Sequence, residues 1–165
     1  MTLTLEFNIE DEAWFETAPW YREITLRIFE QTLTELGLSP RDFEISVLLS
    51  TDERIADLNS EFRDKPTPTN VLSWPAEDCL PTDAHSTPED GFLGDLAFAR
   101  ETIENEAKKQ HLEPETHFAH LFCHGILHLM GYDHQTDADA EVMEGVERRS
   151  LARLGIADPY APKDE

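Results

Sequence analysis

Pro114-Glu-Thr-His117-Phe118-Ala-His120-Leu121-Phe122-Cys123-His124-Gly125-Ile126-Leu127-His128-Leu129-Met130-Gly131-Tyr132-Asp133-His134 is the stretch on which the reading of this chain turns. Proline at its head and glycine just past its apolar run bound a helix from Pro114 to Met130. Phe118, Leu121, Phe122, Ile126, Leu127 and Met130 make that helix apolar almost all round, so it belongs in a core. The exception is a stripe of His117, His120, His124 and His128. Residues four apart lie one turn above each other, so His124 and His128 can offer two imidazole nitrogens to one ion. Gly131 can take the left-handed conformation that stops a helix, and three further residues bring His134 back toward the same point. Three nitrogen ligands with an open fourth position describe a catalytic zinc site, one ion per chain, better than a closed structural one. A lone histidine on an apolar helix is usually a satisfied core or surface residue; this spacing sets the three apart. His117 and His120 lie on the same stripe and suit a ligand's role and a hydrogen bond to the site or the core equally well; they are left out of the ligand set. Cys123 points about 100° away from His124 along the helix and reads as a small buried side chain.

The layout H-x-x-x-H-x-x-G-x-x-H is that of metzincin-type zinc peptidases, with one departure. Those enzymes carry glutamate directly after the first histidine as general base, and Gly125 stands there in this chain. The metal scaffold is present and the peptidase's base is missing. A zinc ion on three imidazoles lowers the pKa of its water to roughly 7, so hydroxide is at hand near neutrality without a strong base.

The 165 residues make one domain's worth of chain, read as a single domain over 1–165. Hydrophobic residues at 39% and charged residues at 29% suit a soluble globular protein. No run approaches a membrane span, and the N-terminus has neither the basic start nor the apolar stretch of a signal peptide, so the expected location is cytoplasmic. Cys79 and Cys123 are too few and too far apart for a disulfide framework. The charge is awkward for a nucleic-acid binder: 35 acidic against 13 basic residues give −22, a field that repels RNA. Exposed charges fade over roughly 8 Å at physiological salt, so a local cluster can outweigh the sum.

Alternation in Thr2 to Ile9 and in Phe43 to Leu49 predicts strands. Between them, Thr17 and Pro19 open a helix from about Trp20 that Gly37 closes. Thr51 caps a helix whose apolar face is Ile55, Leu58 and Phe62, ending where Arg63 begins a loop. Val71 to Trp74 and Phe92 to Phe98 are further strands, separated by an acidic, proline-containing loop from Ala76 to Gly91 that reads as exposed. Helices follow after Arg100, over Pro114 to Met130 and from about Thr136 to Leu154. His85 and His111 read as loop or surface residues. The expected fold class is α+β, α/β-like: about four strands in a mixed sheet covered by helices, with the metal-binding helix buried at the centre.

His124-Gly-x-Leu-His128-Leu-x-Gly-Tyr-Asp-His134 resembles the signature of the bacterial endoribonuclease YbeY family, associated with maturation of ribosomal RNA. Two further blocks carry the resemblance: Leu58-Asn59 with Phe62-Arg63-Asp64-Lys65 and Pro68-Thr69-Asn70-Val71-Leu72-Ser73-Trp74-Pro75, then Gly94-Asp95-Leu96. Asp158-Pro159-Tyr160 adds to them, and Trp74 stands where the family has phenylalanine. The resemblance implies the same fold and a single-strand-specific, metal-dependent endoribonuclease acting on the 16S rRNA 3′ end and in ribosome quality control. RNA in the ribosomal particle is then the substrate, and ribosomal proteins or an assembly GTPase are the implied partners.

Taken alone, Arg63 reads as a surface arginine. Its place in the Phe-Arg-x-Lys block makes it the candidate catalytic residue, a guanidinium that meets negative charge growing on phosphoryl oxygens. Lys65 is a candidate RNA contact, while Asn70 and Ser73 contact RNA or shape the turn into the strand. Asp133 orients a ligand, relays a proton or caps the turn. Two other classes compete: a zinc hydrolase acting on peptides or small substrates, which needs a base from Asp95 or Asp133, and a non-catalytic ribosome assembly factor with structural zinc.

Overall fold

The computed structural model describes residues 3–38, 42–64, 67, 69–76 and 91–160, the side chains of Thr17 and Arg63 excepted. Alternation in the sequence becomes alternation in burial: β1 (Leu3–Ile9) and β2 (Phe43–Ser50) turn every second side chain inward. With β3 (Val71–Pro75) and β4 (Gly91–Ala99) they form one sheet in the order β1-β2-β4-β3. β1, β2 and β4 run parallel, and β3 lies antiparallel to β4 at the edge. The mixed four-stranded sheet and the α+β class are those expected from the sequence.

Six helices complete the described residues: α1 (Ala13–Thr17), α2 (Tyr21–Glu35), α3 (Asp52–Arg63), α4 (Arg100–Lys109), α5 (Pro114–Leu129) and α6 (Asp137–Ala152). α5 is the central one, packed on α2, α4, α6 and the strands β3 and β4. Its Phe118, Phe122, Ile126 and Leu127 are fully buried, and they join Ile28, Phe29 and Leu33 of α2 and Ile45, Leu96 and Phe98 of the sheet in the main core. A smaller cluster of Ile55, Leu58, Leu72, Ala97 and Ala99 fills the opposite face beneath α3. Strand alternation therefore puts Leu96 toward α5 and its neighbour Asp95 on the α3 side.

Three details depart from expectation. The short α1 follows no strong periodic signal; it is there because Trp14, 1% exposed, sinks into the core and its indole N–H donates to the Ser50 carbonyl at 3.0 Å. α2 begins where expected, with Trp20 at its N-cap position, but no side chain caps it, and Thr17 is instead the last residue of α1. Phe62, expected on the buried face of α3, is 59% exposed and lies T-shaped to Trp74, ring centroids 5.7 Å apart. Thr51 does cap α3, accepting the Arg54 amide at 3.2 Å. The Ala76 to Gly91 loop lies outside the described residues apart from its two ends, and with it Cys79 and His85.

The end of α2 is tied to α6 by charge. Glu35, whose side chain is 9% exposed, accepts hydrogen bonds from Arg149 and Arg153. Burial alone raises its pKa, but the two guanidinium groups prevail and hold it below the usual 4.5. A carboxyl depressed on folding stabilises fully above its unfolded value and loses that contribution as pH falls through the folded one. Glu35→Gln should therefore cost about 1 kcal/mol at pH 7, the arginines being well exposed, and progressively less below pH 4.5. Urea titrations at both pH values check this, and a difference that does not shrink in acid contradicts it.

Candidate metal centre

α5 ends as its sequence requires. The Gly131 amide donates to the His128 carbonyl at 3.0 Å and the Tyr132 amide to the Leu127 carbonyl at 3.0 Å, with Gly131 at φ 89°. This paired closure needs a left-handed residue, and glycine supplies it without Cβ strain. The chain reverses, and Thr136 opens α6 by accepting the Asp139 amide. His134 sits in the connection between the two helices. Its ring lies 5.6 Å from that of His124 and 5.5 Å from that of His128, while the latter two are 4.5 Å apart. One ring nitrogen from each of the three falls within 4.8 Å of the others.

The tautomers follow from what the outer nitrogens face. His124 Nδ1 is 2.7 Å from Glu147 Oε1, and His128 Nδ1 is 3.0 Å from the Tyr132 carbonyl. A carboxylate and a carbonyl only accept, so both Nδ1 atoms carry the proton and donate it. Both Nε2 atoms then present lone pairs, and these stand 2.9 Å apart. Facing each other at that separation, with His134 close by, the two nitrogens can share one cation, so the donor set fits a metal. Burial, with help from the neighbouring His124 and His134, pushes His128 down to about 4, keeping it in the neutral form that binds metal.

Behind the histidines lies Glu147 of α6, which is completely buried. Its Oε2 accepts from His120 Nε2 at 2.9 Å and from the Tyr160 hydroxyl. Burial raises the pKa of such a carboxyl, yet the hydrogen bonds from His120 and His124, and then that from Tyr160, bring it down to about 2. The Tyr160 phenol is pushed up by burial and by this carboxylate. Sequence reasoning missed Glu147. The available signal was an acid set among Met143, Val146, Ser150 and Leu151, on the one face of α6 that the core covers.

A cavity of about 390 Å³ opens beside the site, with Asn70 and Ser73 of the β3 segment on one wall and His120, His124, His128 and Tyr160 on another. Among the described residues no carboxylate lines it, although the chain carries −22. Gly125 also lines it, but a Cβ built on Gly125 meets Leu96 Cδ2 at 2.9 Å. A side chain there runs into the sheet.

The Endoribonuclease YbeY family profile matches residues 7–155. The chain belongs to the YbeY endoribonuclease family. The Endoribonuclease YbeY of Jannaschia is 53% identical over 133 residues, covering 78% of this chain and 83% of that one. That of Ruegeria pomeroyi is 46% identical over 96% of this chain and 98% of its own. A solution structure from Thermotoga maritima shares the fold, with a TM-score of 0.55 at 20% identity over 98% of this chain and all of the other. This YbeY-family chain thus carries, within the residues that the family profile matches, a group of histidines able to hold a metal.

The other expected residues fall in different places. Arg63 is the last residue of α3, followed by Asp64 at φ 57°; its side chain and all of Lys65 lie outside the described residues. Asn59, four residues before Arg63, lines the cavity and donates to the Thr67 carbonyl at 2.9 Å. Asn70 shapes the entry to β3, accepting the Val71 amide at 2.7 Å and donating to Glu106, which also holds His117 at 2.8 Å. Asp133 caps its turn, accepting the Gln135 amide. Asp95, raised in pKa by burial, is on the α3 side of the sheet, in a groove with Arg54 and Trp74, and does not face the histidines. Cys123 is buried against Thr32, its thiol pushed up to about 12 by burial, and His111 is exposed. Among the described residues no helix is long and apolar enough to cross a membrane.

Proposed function

We propose that this YbeY-family endoribonuclease is a single domain over 1–165 that binds one zinc ion per chain on His124, His128 and His134. On this reading it cuts single-stranded RNA. When bound, the zinc supplies Lewis-acid polarisation of water and of the phosphoryl oxygen. The observation that carries the reading is the convergence of two Nε2 atoms, 2.9 Å apart, on a cavity that no carboxylate lines among the described residues, where a polyanion can approach. The histidines hold the ion, Asn70 and Ser73 form the facing wall, and Arg63 meets charge growing on the scissile phosphate. Its place one turn after Asn59, which lines that cavity, supports this role. The family likeness supports ribosomal RNA as the substrate, with the 16S 3′ end and ribosome quality control as the setting. It likewise supports ribosomal proteins or an assembly GTPase as partners in the cytoplasm.

The peptidase alternative loses its bases: position 125 is glycine, Asp95 faces away, and Asp133 is engaged in its turn. Zinc-loaded protein incubated with a ribosomal RNA fragment containing single-stranded segments should cut it, and a peptide library should stay intact. Metal-dependent peptide turnover without RNA cleavage would make the chain a peptide hydrolase, and RNA binding with no cleavage of any kind would make it an assembly factor. Arg63→Ala should keep fold and zinc while slowing single-turnover cleavage by roughly 10²–10³ at saturating RNA. Lys65→Ala should instead lower the salt-dependence slope of binding by about one with little change in that rate. Unchanged cleavage in Arg63→Ala would remove Arg63 from the chemistry.

A further inference from the structure

We propose that Glu147 is the positioning residue of the metal centre: with His120 and Tyr160 it forms a buried brace that holds the His124 ring in its metal-binding orientation. The inference rests on the reading of His124 as a ligand. Glu147 is a fully buried carboxylate with three donors around it, His124 Nδ1 on Oε1, and His120 Nε2 and the Tyr160 hydroxyl on Oε2. An acid in a helix interface is costly unless its lone pairs are satisfied, so the three donors form one unit with it. Each end of the carboxylate has a separate task. Oε1 holds the proton of His124 on Nδ1 and so leaves Nε2 free; the charge behind the ring makes that nitrogen a stronger donor to a cation. Oε2 is anchored from two elements, His120 on α5 and Tyr160 beyond α6.

The C-terminal anchor is itself built. Asp158 pairs with Arg148 of α6 at 3.3 Å and accepts the Tyr160 amide at 2.8 Å. The Arg148 guanidinium also lies 5.7 Å from the centre of the Tyr160 ring. These contacts place the phenol at the cavity wall with its hydroxyl on Glu147. The Asp158-Pro159-Tyr160 segment therefore belongs to the metal centre although it lies 24 or more residues beyond the last histidine. His120, His124 and Glu147 also have the proximity of a metal site of their own, which gives the test a competing outcome.

Zinc affinity is measured by chelator competition for wild type, Glu147→Gln, Tyr160→Phe and His124→Ala, with melting curves and the visible spectrum of the cobalt-loaded protein. Glu147→Gln keeps the shape of the side chain and removes its charge. It should weaken zinc binding roughly 10- to 100-fold and shift the cobalt spectrum, while the zinc-free protein remains folded. Tyr160→Phe should weaken zinc severalfold with the zinc-free melting temperature nearly unchanged, and it carries the test alone if Glu147→Gln does not fold. Wild-type zinc affinity and cobalt spectrum in these variants, with only the melting temperature altered, overturns the inference. Two zinc ions per chain, the second lost in Glu147→Gln, also overturns it, making Glu147 a ligand. If His124→Ala binds zinc as tightly as wild type, the ligand assignment itself has failed, which separates the two readings.

Discussion

His128→Ala should lose zinc and with it RNA cleavage, by on the order of 10⁴-fold, the scale on which removing one member of a catalytic constellation acts. The residue is half-buried at the end of α5, and its only described partners are the Tyr132 carbonyl and its fellow histidines. Its loss should therefore empty the site without unfolding the helix. A ligand that binds only the native state raises the melting temperature by mass action, so added zinc should stabilise wild type and leave His128→Ala unmoved. Elemental analysis gives the stoichiometry and gel assays give the cleavage. Full zinc content in the variant would remove His128 from the ligand set; lost zinc with wild-type cleavage would separate the metal from the chemistry.

The largest effect on folding should come from Gly94→Ala. Gly94 stands at φ 140°, and a Cβ there would lie 2.3 Å from the Trp74 carbonyl oxygen and 2.9 Å from a methyl of Leu129. The register of β2 and β4 slips at this point, Glu44 pairing with Phe92 and Ile45 with Gly94, so Leu93 is extra and the strand bends there. The clash is with backbone and cannot be relieved by a rotamer change. A loss of roughly 4 kcal/mol or more is expected, a large part of a domain's total stability. Gly91 is the internal control, since it has a similar φ of 127° but, among the described residues, nothing within 4 Å of its Cβ position. Gly91→Ala should cost only the conformational strain, about 1–2 kcal/mol. Equal losses in the two variants, measured by urea unfolding, would mean that the close approach to Trp74 contributes nothing.

What could be read from the chain was whatever repeats with the period of an element. β1, β2 and α5 follow from alternation or helical spacing, and Gly131 is visible because a helix stop has a required residue. The three histidines converge because helix geometry and one turn bring them together, with no long-range contact needed. Glu147 was hidden for the opposite reason: its partners come from α5 and from beyond α6, and pairing across helices leaves no mark on local spacing. Phe62 misled because periodicity says which face a residue is on, but not how far the neighbouring elements extend to cover it. Asp95 could be paired with the histidines until strand alternation put it on the other side of the sheet. The net charge gave no hint of a cavity that no described carboxylate lines, because composition counts acids without saying where they gather.

Gly125 has an effect on what this scaffold could become. The hydrogen that takes the place of a side chain there lets α5 lie directly on Leu96. Leu96 is fully buried and cannot withdraw without leaving a gap elsewhere. Installing the glutamate that peptidases carry at this position would press its Cβ on the Leu96 methyls, so Leu96 would have to shift and the packing around it would be overfilled. A base at position 125 is therefore coupled to the sheet: the helix that presents the histidines and the strand beneath it would have to adjust together.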